Sequence, residues 1–156
     1  MSNKNYISIL FSLMALIGNF SLFAEEHQHH HQQQTAELAL NHGEKWSIDE
    51  SLHIGMTNIK NDISANLALI HQQKFTAKQY QGLALGLEKH LSFLFENCQL
   101  APQADAQLHI LLADIMQGVA QMKHSDNGKP GAVLIIQALK NYPQYFADPR
   151  WQNLAH

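Results

Sequence analysis

One cysteine in 156 residues rules out an intramolecular disulfide, so the fold must stand on its apolar core even in an oxidising compartment. Cys98 has three fates open to it. It can be buried, the commonest end for a free thiol, or bound to a metal, or paired with a second chain, which would make a homodimer. No Cys-x-x-Cys-His is present, which excludes covalent c-type haem. Charge is sparse, at 15% of residues, and the formal net charge of −3 gives no electrostatic reason to expect nucleic-acid binding. Phosphate-cradling glycine loops are missing, and from Ser47 onward no strand-type alternation competes with helical spacing.

What is present begins with a leader. Lys4 precedes an apolar run from Tyr6 to Phe23, closed by Ala24 and an abrupt switch to Glu25 and Glu26. That is the layout of a secretory signal peptide. The run approaches the lower length limit of a membrane span, but Ser8, Ser12, Asn19 and Ser21 interrupt it and favour cleavage after Ala24 over an uncleaved anchor. The expected organisation is a signal peptide at 1–24, a His/Gln-rich disordered segment and linker at 25–45, and a four-helix domain at 46–156. Location would be periplasmic or secreted, with no membrane association once the leader is removed.

The tract from His27 to Gln34 holds His27, His29, His30 and His31 among glutamines. Its composition buries too little apolar surface to offset the entropy of ordering. It is either a solvated spacer or a flexible chelator, because neutral imidazole is a common ligand for copper, nickel and zinc. Cleavage after Ala24 would place His27 third from a free amino terminus. The terminal amine, two backbone nitrogens and that imidazole can then enclose a square plane, a geometry suited to Cu(II) or Ni(II).

Helical periodicity fills the rest. A first helix is expected from Ser47, capped by Ser47-x-x-Glu50, to about Gln72, with Leu52, Met56, Ile59, Ile63, Leu67 and Ile70 on one stripe. Thr76 and Gln79 cap a second helix that carries Leu83, Leu87, Leu91, Leu94 and Cys98 inside. Pro102 suits the first position of a third. A fourth starts at Pro130 and is expected to stop at Asn141-Tyr-Pro143, leaving an irregular aromatic tail. The fold class is therefore all-α: an antiparallel up-and-down four-helix bundle with a short fourth helix. Gly55, Gly82, Gly86 and Gly118 lower helix propensity, which points to close helix contacts or room for a ligand.

At about 1.5 Å of rise per residue, Met56, His90 and His109 come from three helices at a similar height above the break at Pro102. They are the candidate metal ligands within the bundle. Histidines on apolar faces more often serve packing, and Met56 reads equally as core. Asp105 either orients the His109 ring from behind or stabilises a helix start through the dipole. Glu50-x-x-His53 matches half of a di-iron pattern with no second half. Catalysis by Cys98 with a histidine base would need a proximity that the helix register does not impose.

Trp46-x-x-Asp49, Gly55-Met56, Asn97-Cys-Gln-Leu and Ala104-Asp105-Ala-Gln-Leu-His109 together resemble a family of small secreted helical proteins of Gram-negative bacteria, often with a histidine-rich segment after the signal peptide. The resemblance spans roughly residues 40–151 and is most specific from Cys98 to His109. It implies a periplasmic helical protein and carries no established activity. Transition-metal binding is the leading expectation. The alternatives are a structural or interaction module without a metal role, and an enzyme or sensor that takes a small molecule or non-covalent haem under the aromatic tail, the haem being held by Met56 and a histidine. The leading expectation is not an enzyme.

Overall fold

The computed structural model describes residues 37–124 and 126–154. The expected leader at 1–24 and the tract with His27, His29, His30 and His31 lie outside the described residues. The domain is built from α1 (Glu50–His71), α2 (Ala77–Asn97), α3 (Pro102–His124) and α4 (Lys129–Tyr145). Each helix packs on the next in sequence, and α4 also contacts α1. Among the described residues no helix is long and apolar enough to cross a membrane.

The helix starts differ in how they satisfy their free N–H groups. Asp49, not Ser47, caps α1: its Oδ1 accepts from the Leu52 N–H at 2.7 Å, while its Oδ2 accepts from Gln99 N–H at 2.6 Å and ties this end to the α2–α3 loop. Ser47 is instead extended, because Trp46–Ser47 (β1) pairs in parallel with Phe146–Ala147 (β2). Two-residue strands are too short to leave an alternation signal. At α2 the expected capping box is present, with Gln79 N–H to Thr76 Oγ1 at 3.3 Å and Thr76 N–H to Gln79 Oε1 at 2.9 Å. Cys98 is the half-buried C-cap of α2 and not an interior residue.

The fourth helix corrects a second expectation. Pro143 does not end α4, which runs 17 residues with the proline inside its last turn. A proline there removes one helical donor where few remain. Tertiary packing outweighs that loss: Tyr142 is fully buried, stacks on Phe146 at 5.4 Å between ring centroids, and meets Trp151 at 4.6 Å. The aromatic tail is therefore partly helix and partly core, since Phe146 is as buried as the helical leucines.

The core joins all four helices through Met56, Ile59 and Ile63 of α1, Leu87 and Leu94 of α2, Leu111 and Ile115 of α3, and Ile135 and Leu139 of α4. Burying each of these large aliphatic side chains contributes about 1.5–3 kcal/mol against leaving it in water. Glycine sets the separation between two of the helix pairs. A Cβ at Gly118 would lie 2.5 Å from the Gly131 carbonyl oxygen and 2.6 Å from Ile135 Cγ1, and one at Gly55 would strike Leu94. Nothing lies within 4 Å of a Cβ at Gly82.

Two alanine substitutions should therefore have opposite signs in urea unfolding. Gly118→Ala is expected to lose about 2 kcal/mol by overpacking against backbone that cannot yield. Gly82→Ala is expected to gain about 0.5–1 kcal/mol through helix propensity alone.

Candidate functional site

The described histidines that meet other side chains do so mainly through carboxylates, and the strongest case is one that spacing alone did not reveal. His53 rises from the first turn of α1, and its Nδ1 donates to Asp148 Oδ2 at 2.8 Å and Oδ1 at 3.1 Å. The Asp148 side chain has no exposed surface. Tyr142 O–H donates to the same Oδ2 at 3.2 Å, and the Arg150 N–H donates to Oδ1 at 3.1 Å. Three donors from three places in the chain thus converge on one buried carboxylate. Arg150 also grips Glu50 through both guanidinium nitrogens, at 2.7 and 3.1 Å, and this pairing holds the Glu50 carboxyl below its ordinary range.

Around this hub the environment is dry. Burial first, and then the Asp148 charge, push the Tyr142 hydroxyl well above the ordinary tyrosine value. The Trp151 indole N–H is buried without an acceptor among the described residues, its ring held by Tyr142 and by the Lys60 ammonium at 5.4 Å. A cleft of about 600 Å³ opens beside the hub, lined by Lys45, Phe146, Asp148, Trp151 and Asn153 among others. Cys98 has its thiol pushed up to about 12, by burial and then by Asp49 and Asp105. A thiol held protonated in this way is a poor nucleophile and a poor metal ligand at neutral pH.

The residues singled out by height in the bundle take separate positions. His90 donates from Nε2 to Asp62 Oδ2 of α1 at 3.0 Å. His109 is exposed, donates from Nδ1 to the Asp105 backbone carbonyl at 2.9 Å, and sits 5.9 Å from the Phe95 ring of α2. Residues 90 and 95 stand about 140° apart around a helix of 3.6 residues per turn, so His90 and His109 address different flanks of α2. Asp105 places Oδ2 3.4 Å from the His109 ring, farther than its own carbonyl. Met56 has no exposed surface and belongs to the core. The structure does not bring these three into one first coordination sphere. Among the described residues, no group of three or more His, Cys, Asp or Glu side chains is placed to hold a metal ion.

Each paired histidine keeps one ring nitrogen out of these bonds: Nε2 in His53 and His109, Nδ1 in His90. A carboxylate behind an imidazole fixes its tautomer and raises its basicity, an arrangement metal sites use. It is equally a way to fasten two elements together. Asp148 went unrecognised because its partner lies 95 positions away; the one local signal was a carboxylate following the apolar Tyr145-Phe146-Ala147 run.

No family model, curated protein or solved structure matches this chain.

Asp148→Ala strands a buried hydroxyl and a partly buried ring N–H, and is expected to destabilise the fold by about 3 kcal/mol in urea titration. Alkaline pH should also weaken the protein. Tyr142 and Cys98 hold their protons in the folded state beyond the point where the unfolded chain releases them. Their contribution to stability is complete below about pH 8.5–10, the ordinary thiol and phenol range, and falls as pH rises above it. Unfolding free energy measured from pH 8 to 11 should decline, with a smaller decline at its lower end in Cys98→Ser.

Proposed function

We propose that this chain is a periplasmic transition-metal-binding protein whose ligands are concentrated in the histidine segment, carried by a four-helix bundle that runs up and down in antiparallel fashion. The observation that carries the reading is the density of imidazole: His27, His29, His30 and His31 occupy four of five consecutive positions, shortly after the apolar run that closes at Ala24. An all-imidazole set suits copper, nickel or zinc, and exposure of Glu25 as the first residue would add the square-planar amino-terminal mode for Cu(II) or Ni(II). The resemblance to secreted helical proteins, carried by the separate stretch from Trp46 to His109, is to a family that often has a histidine-rich segment after the signal peptide. Antiparallel topology is supported by contacts that climb one helix while descending its neighbour. Gly55 faces Leu94 while Asp62 meets His90, and Gly118 faces Ile135 while Met122 faces Gly131.

The bundle histidines fit a different part in this reading. His53 and His90 each bridge two chain segments through a carboxylate, which is the work of a fastening. That observation also favours the second reading, an interaction module in which no histidine binds metal.

Titration of the exported protein with Cu(II), Ni(II) and Zn(II), with and without residues 25–34, separates the two. Metal binding is expected at one equivalent or more in the full chain and is expected to disappear on deletion. Binding that survives deletion would move the site into the bundle, and no binding in either form would leave the interaction module.

A further inference from the structure

The methionines of the described chain divide sharply. Met56 and Met122 are 0% exposed, whereas Met116 is 47% exposed on α3. Met116 lines a groove of about 450 Å³ between α2 and α3, together with the exposed Phe95 and the buried Leu91 and Val119. We propose that Met116 is an oxidant-responsive modification site, where hydrogen peroxide converts the thioether to the sulfoxide and turns this groove wall from apolar to polar. The inference stands independently of the histidine segment.

The chemistry needs access and little else. A sulfur lone pair attacks one peroxide oxygen, the O–O bond breaks as the S–O bond forms, and the other oxygen leaves as water after taking up the proton of the transferred hydroxyl. Sulfur is oxidised by two electrons and the peroxide is reduced by two. No deprotonation of the protein is involved, so exposure decides which methionine reacts. A cysteine, by contrast, reacts as its thiolate. Cys98 is half-buried behind the α2 cap, with Asp49 and Asp105 nearby, and its thiol is pushed up to about 12. The chain's one thiol is therefore half-buried and held protonated, and among the described residues the exposed thioether of Met116 is the more accessible sulfur. A sulfoxide at Met116 would set a strong hydrogen-bond acceptor beside the exposed ring of Phe95. Thiol-dependent methionine sulfoxide reduction would reverse the change.

The test is a time course of the full chain in hydrogen peroxide at neutral pH, read by peptide mass spectrometry, with the same samples followed by NMR. Met116 should gain one oxygen at least about tenfold faster than Met56 and Met122, whose reaction must wait for opening of the core. Cys98 should remain alkylatable after unfolding, and the Phe95 and Val119 resonances should shift in step with Met116 oxidation. Met116→Leu should remove the fast oxygen uptake while leaving the helical circular dichroism unchanged. Oxidation of Cys98 ahead of Met116, equal rates at Met56 or Met122, or unmoved Phe95 and Val119 resonances would overturn the proposal.

Discussion

A carboxylate with no access to water must be matched by donors, and the lower end of this domain is arranged around that requirement at Asp148. Leaving such a group unpaired costs several kcal/mol, a large part of the total stability of a small domain. His53 from α1, Tyr142 from α4 and the backbone N–H of Arg150 meet the demand together. Satisfying it fixes the path of the chain after α4: β2 is laid beside β1, Arg150 reaches Glu50, and Trp151 covers Tyr142. The C-terminal segment thus closes the end of the bundle where α4 gives out.

Above this polar end the domain is held by packing. The closeness of α3 and α4 rests on Gly118 and Gly131, whose backbones approach too nearly for any side chain on either. Elsewhere the seam is looser, and between α2 and α3 it opens into the groove flanked by Phe95 and Met116. Tight and open seams in one bundle follow from where small residues fall on facing stripes. Glu88 and Lys123, paired at 2.7 Å, span the open one at the surface.

Helix number, the Thr76–Gln79 cap and the core stripes of α1 and α2 were legible in the sequence because they depend on local spacing, which a one-dimensional pattern carries; Tyr142 and Phe146 join the core from outside any such stripe. The misplaced features share a different cause. Spacing points to Ser47 as a cap, whereas Asp49 binds both Leu52 and Gln99, the second being 50 residues away. Local propensity makes Pro143 a helix end, because it carries no trace of the packing of Tyr142 on Phe146 and Trp151. For the candidate site, height along the bundle was estimable but direction around each helix was not, so His90 and His109 were grouped though they face different flanks of α2. Asp148, the partner that organises His53, lies beyond any periodic pattern.

The histidines divide by what stands behind them. His53 and His90 each tie two chain segments together through a carboxylate, and His109 bonds to a backbone carbonyl of its own helix; the proposed reading assigns the metal to His27, His29, His30 and His31. Zinc, being diamagnetic, permits a direct residue-by-residue test through the ring-nitrogen correlations of every histidine in the ¹⁵N-labelled protein. On adding Zn(II), the rings of His27, His29, His30 and His31 should shift while those of His53 and His90 keep their metal-free positions. Zinc-induced shifts at His53 or His90, with the amino-terminal rings unmoved, would contradict it.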